Sequence, residues 1–304
     1  MSRLLGLFIA AAFAMPLPII FAPATFAPAI FSPAYASNVP AAEDGKRKIN
    51  LSGRQRMLSQ RMAKAACFAS IDVQTDTHLQ QVSDAHALFD RTLHGLRDGD
   101  TEQGMNPEKA PRILEELAGV EELWITYGAS VASAANSAEA AQAALPQIAE
   151  LNLPVLRQMN KTVGEFERHY GGAGDIHPVL ALALNISGRQ RMLSQKASKE
   201  FCLILAGRDV ASNREALAET VALFETSLNG LKDGNEEMGL PPAPTDEIYA
   251  QLQRVSDLWG PLKTIFDATV AGATPNAGDI EQVARDNNPL LKEMNEAVWM
   301  YDQL

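Results

Sequence analysis

Two arginines, Arg56 and Arg191, occupy the same place in two nearly identical strings, NLSGRQRMLSQ (50–60) and NISGRQRMLSQ (185–195), which agree at ten of eleven positions. A guanidinium keeps its charge at any physiological pH, so two of them brought together repel. If they are also partly desolvated, the arrangement is unfavourable unless an anion sits between them. Two planar forks closing on one ligand would suit a small planar oxyanion, held by charge-assisted hydrogen bonds. The local charge agrees with that chemistry: residues 46–64 contain seven Lys or Arg and no acid, and 185–199 contain four and no acid, in a chain of net charge −11. Arg54, Gln60, Arg189 and Gln195 in the same strings are further candidate ligand residues. The plainer reading is that such arginines are solvated or paired with a glutamate on a neighbouring helix.

Placed on a helix, Ile49, Ser52, Gly53, Arg56, Ser59, Gln60, Ala63 and Cys67 share one band, while Leu51, Leu58, Met62 and Ala65 lie opposite. The apolar side reads as the stripe facing a bundle core. The other band is small in volume yet carries an arginine and a glutamine, and small residues let a second helix approach closely. Its counterpart contains Ser187, Gly188, Arg191, Ser194, Gln195, Ser198 and Cys202. The two first helices are therefore expected to face each other about a pseudo-twofold axis, so that Arg56 and Arg191 converge. Cys67 and Cys202 fall on the same band. They are expected either to form a disulfide, if the helices run parallel, or to pack as small buried thiols.

The strings belong to a longer repeat. Lys64 matches Lys199, Cys67 matches Cys202, LFDRTLHGLRDG (88–99) matches LFETSLNGLKDG (223–234), Trp124 matches Trp259, and Met159-Asn160 matches Met294-Asn295, all at an offset of 135. A period this long means two copies of one domain rather than a solenoid. They are assigned to 37–170 and 171–304, joined near HYGGAGDIHP (169–178). Few β-branched runs and much alanine favour helices. The first copy reads as helices near 44–72, 77–97, 108–134 and 137–168, with Asp98-Gly99 a C-cap, Asn106-Pro107 an N-cap followed by proline, and a kink or restart near Pro154. The expected fold is all-α, two tandem up-down four-helix bundles arranged as an intrachain pseudo-dimer.

Residues 1–36 read as a cleaved export signal. Arg3 precedes the apolar run Leu4–Ala14, and Ala34-Tyr35-Ala36 is a cleavage site. Five prolines between 16 and 33 make the stretch a poor membrane helix. The expected location is the periplasm, where a disulfide can persist.

The string N-x-S-G-R-Q-R-M-L-S-Q resembles the first-helix signature of the PilJ/NarX-type sensor domain. That domain is the four-helix periplasmic sensing module of type IV pilus methyl-accepting chemotaxis transducers and nitrate/nitrite sensor kinases. The resemblance covers both copies, is specific in the first helix, and is supported elsewhere by L-x-x-G-L-[RK]-D-G and the Met-Asn pair. It implies first helices paired across a dimer interface and, in nitrate-responsive members, one nitrate held by symmetry-related arginines. Those positions fall on Arg56 and Arg191, with Gly53 and Gly188 beside the ligand. The chain departs from the family in carrying two copies, and it is expected to lack the membrane helix and signalling module that normally follow such a domain. Arg61, which becomes Lys196, makes any site slightly asymmetric.

Other classes fare worse. Acidic net charge argues against nucleic acid as a partner. His78, His86 and His94 do not share a helical face and are not repeated, so neither a metal site nor a cofactor is expected. Trp124 and Trp259 read as core, and Asn160 and Asn295 as braces on the first helix. No hydrolase, metalloprotease or phosphate-loop motif is present, so no enzyme is expected. The leading expectation is a periplasmic module that captures nitrate or nitrite and presents that state to a membrane-bound sensor or chemoreceptor. The alternatives are a ligand-free module that docks such an ectodomain through its small-residue face, and a structural spacer.

Overall fold

The computed structural model describes residues 39–171 and 178–304. The expected export signal and the Gly-rich junction after Gly171 lie outside the described residues. Eight helices account for most of the rest: α1 (Ala41–Ser70), α2 (Thr75–Asp98), α3 (Pro111–Ala134) and α4 (Ala138–Tyr170), then α5 (Pro178–Leu205), α6 (Val210–Asp233), α7 (Asp246–Val270) and α8 (Ala277–Asp302). Within each set of four, every helix packs on the next and the last returns to the first, which closes an up-down bundle. The two bundles join through α1 and α5, and a single apolar core runs through both. No described helix is long and apolar enough to cross a membrane.

Local chemistry explains most element ends. Gly99 and Gly234 close α2 and α6 at φ of 85° and 90°, a region that favours glycine, and a Cβ at Gly99 would sit 2.8 Å from Pro107. Ser137 caps α4 by accepting from the Ala140 amide, Thr245 caps α7 through Ile248, and Asn276 opens α8 in a capping box with Asp279. The expected start of the third helix at Asn106-Pro107 is corrected. α3 begins at Pro111, with proline again in its first turn, while Asn106 ties the loop to the chain before α1 by donating to the Val39 carbonyl at 2.8 Å. Nor is α4 restarted at Pro154: one helix spans both Pro146 and Pro154.

The paired helices are parallel. Matched residues meet at both ends of the contact, Asn50 and Asn185 around the arginines and Cys67 with Cys202 further along. The two cysteines form a disulfide with Cα atoms 6.1 Å apart.

Candidate functional site

The close approach of α1 and α5 rests on how their serines are satisfied. Ser52, Ser59, Ser187 and Ser194 are fully buried, and each hydroxyl turns back to donate to a carbonyl three residues earlier on its own helix. Buried hydroxyls thus need no partner from across the interface, and the surface stays small enough for another helix.

Between these helices lies a cavity of about 350 Å³. Its floor is pseudo-symmetric: Asn50, Gly53 and Arg56 from α1 face Asn185, Gly188 and Arg191 from α5. Arg56 donates through Nη2 to Asn185 Oδ1 of the other copy at 3.3 Å and through Nη1 to Asn160 Oδ1 of its own at 3.5 Å. Arg191 repeats this with Asn50 at 3.3 Å and Asn295 at 3.5 Å. Neutral amide oxygens orient the forks without cancelling their charge. Neither guanidinium forms an ion pair among the described residues, and both Nε atoms are buried without a partner there.

The glycines have a specific purpose. A Cβ at Gly53 would lie 3.4 Å from Arg56 Nη2, and one at Gly188 would lie 3.5 Å from Arg191 Nη2. Each guanidinium therefore lies back over the glycine one turn earlier on its own helix. A methyl group would touch it; a branched side chain would displace it.

Burial lowers Arg56 to about 10, an effect opposed by Glu167 and reinforced by Arg189. Burial, then the charges of Arg56 and Arg54, lower Arg191 to about 10. Both remain charged at neutral pH, and each senses cations of the opposite copy. Glu167 and its match Asp302 also line the cavity, as does Lys46, which donates to the Asp302 carbonyl at 3.3 Å. Burial raises the Glu167 carboxyl, against the pull of Arg56.

The other sequence candidates stand outside this cavity. Arg54 points to the α2 side, donating to Thr92 Oγ1 at 3.3 Å and Gln103 Oε1 at 3.2 Å. Arg189 is half-buried outside the lining, with burial lowering it. Gln60 and Gln195 lie about one turn deeper along the axis, in a separate polar layer built around two buried lysines. There Lys64 donates to Asn287 Oδ1 of the other copy at 2.8 Å and to Gln81 Oε1 at 3.2 Å. Lys199 donates to Asn152 Oδ1 of the other copy at 2.8 Å and to Gln60 Oε1 at 3.0 Å. Burial pulls Lys64 well below its ordinary value and Lys199 down to about 8. These crossed Lys–Asn pairs, with the disulfide, fix the register of one copy on the other.

Trp124 and Trp259 are core residues, stacked on Phe89 and Phe224 at 4.3 and 3.9 Å between ring centroids. His78 is buried, its Nδ1 2.8 Å from the Val73 carbonyl, and its ring stacks on Phe68. Sequence reasoning omitted Asn50, Asn185 and the Glu167–Asp302 pair from the site. The asparagines open the repeated string and are identical in both copies, so the signal was present. The acids differ in type and carried little.

The comparisons with known proteins agree with this architecture. The family described as "Type IV pili methyl-accepting chemotaxis transducer N-term", PilJ, matches residues 41–150 and 180–285, one segment in each bundle. The chain is also similar to the methyl-accepting chemotaxis protein McpN of Pseudomonas aeruginosa, 34% identical over 115 residues. That alignment covers 38% of this chain and 21% of the relative, so the chain spans about a fifth of that protein's length. With the two segments together covering more than half of the chain, one within each four-helix bundle, the chain belongs to the PilJ family, in which it carries the domain twice.

Proposed function

We propose that this chain is a sensory binding module of the chemoreceptor type, and that it captures one small oxyanion, nitrate or nitrite first, between Arg56 and Arg191. The observation that carries the reading is the pair of buried, still-charged guanidiniums on one cavity floor. Each is oriented by amide oxygens from both copies and neither is in an ion pair with a described carboxylate; with Lys46, Glu167 and Asp302 also in the lining, the cavity keeps one net positive charge. Such a floor is electrostatically incomplete without an anion, and fixed, oriented donors need no reorganisation to accept one. A single ligand on the axis would contact both bundles at once and so favour one relative placement of α1 and α5, which is how binding could be passed on. The family and the chemotaxis relative support the sensory part of the reading. The choice of nitrate or nitrite comes from the family resemblance of the Gly-Arg-Gln-Arg string. The reading also assigns export to the periplasm, presentation of the bound state to a membrane-bound receptor or sensor, and binding rather than catalysis.

Isothermal titration calorimetry of the full chain with nitrate, nitrite, sulfate and chloride tests the proposal. Saturable heat with nitrate or nitrite, lost in the Arg56→Ala/Arg191→Ala double variant, is expected. Nitrate binding that survives in that variant rejects the site.

A further inference from the structure

Another cavity, of about 440 Å³, lies on one side of the axis, between α1 and α2 of the first copy and α8 of the second. Its volume falls within the range of small-molecule sites. One edge is cationic. Arg54 and Arg61 stand seven residues apart on α1, about 10 Å along the helix, and both line the cavity. Arg54 hydrogen-bonds only to the neutral Thr92 and Gln103, and Arg61 has no hydrogen bond or ion pair among the described residues. Arg191, 6% exposed with an unpartnered Nε, closes the inner end. Asp84 and Asp302 also line the cavity, so its charged groups sum to one net positive charge.

The opposite edge is aromatic. Trp299 of α8 is 56% exposed, although it is the kind of side chain a bundle normally buries. It faces an apolar floor that includes Leu51, Met57 and Leu88.

The pseudo-symmetry supplies the control. The position matching Trp299 in the first copy is Gly164, and the position matching Arg61 in the second is Lys196. Lys196 is neutralised by Glu200, at whose matching position the first copy has Ala65, and it also donates to Thr220 at 2.7 Å. At these matching positions the first copy supplies Arg61, in no described hydrogen bond or ion pair though it senses the charge of Asp84, to a groove that holds an exposed indole; the other pair of positions holds an ion-paired lysine and a glycine. Two identical chains could not have built this difference; a duplicated chain can.

We propose that this groove is a second ligand site for an organic anion with a flat apolar body. The ring stacks on Trp299, and the acid group is received by Arg61 and Arg54. The proposal does not rest on the oxyanion reading, although Asn50, Arg191, Val298 and Asp302 wall both cavities.

Calorimetry of the full chain with benzoate, with benzyl alcohol as the uncharged probe, tests it. Benzoate is expected to bind and benzyl alcohol to give no saturable heat. Trp299→Ala and Arg61→Lys, the second copy's own residue, should each weaken benzoate by about tenfold or more. Trp299 is exposed and Arg61 half-buried, and an unchanged circular dichroism melt confirms that the variants are intact. No heat with benzoate at millimolar concentration, or affinity unchanged in both groove variants, would each overturn the assignment.

Discussion

The two copies agree at the axis and diverge at their ends. Around the axis the arginine, asparagine, serine and lysine contacts recur in pairs, often with the same distances: 3.3 Å for both Arg–Asn crossings and 2.8 Å for both Lys–Asn crossings. At the outer end of the first bundle, Lys48 is fully buried between Asp44 and Glu108, and Tyr170 donates to Glu108 at 2.8 Å. The matching residues in the second bundle are Ala183, Val179 and Ala243, and they belong to an apolar, proline-lined end with Pro241 and Pro242. The difference locates the constraint. A contact that spans the axis needs its partner from the other copy, so neither half can change alone. A contact inside one bundle has no such tie.

Four experiments probe this difference between axis and ends. The largest effect is expected from reducing the disulfide or replacing both cysteines by serine. The bridge closes a loop of 135 residues, and its loss should lower unfolding free energy by about 4–5 kcal/mol in the loop-entropy account, read from urea denaturation. Lys48→Ala installs the second copy's residue but leaves Asp44 and Glu108 buried without their cation. It should cost about 3–5 kcal/mol, and adding Asp44→Val and Glu108→Ala should recover most of that. If the single variant is neutral, the network is not what holds that end.

A third effect depends on pH. The Lys199 ammonium is depressed from 10.5 to about 8 by burial, so between these values the unfolded chain binds a proton that the native one lacks. Wild-type stability should therefore rise with pH through that window, by on the order of 3 kcal/mol relative to Lys199→Met. Parallel curves for the two proteins would contradict the buried ammonium. The smallest effect concerns Glu167. Its raised carboxyl takes up a proton as pH falls through the acid range, which removes a negative charge beside Arg56. Nitrate should bind more tightly as pH drops, and Glu167→Gln should flatten that dependence.

Much of this was legible in the chain, for physical reasons. The repeat and the 3.6-residue period exposed the helices and their pairing, because α1 and α5 are amphipathic in an unusual sense, with an apolar face and a small polar one. The meeting of Arg56 with Arg191 followed from that face. The positions of Arg54 and Gln60 did not: a helical wheel gives direction but not depth, and Gln60, although on the right face, lies about one turn below the cavity. Asn106 misled because an Asn-Pro pair reads as a cap, yet its side chain was needed by Val39, sixty-seven residues earlier. The groove at Trp299 was invisible because it joins α1 and α2 of one copy to α8 of the other. Nothing local in Arg61 or Trp299 marks that meeting.

If both arginines hold one shared ligand, the number of sites per chain and the two single variants will show it. Calorimetric titration of wild type, Arg56→Ala and Arg191→Ala with nitrate should give one site per chain. Affinity should fall by about a hundredfold in each variant, and by similar amounts in the two. Two sites per chain, or one single variant that binds like wild type, would contradict it.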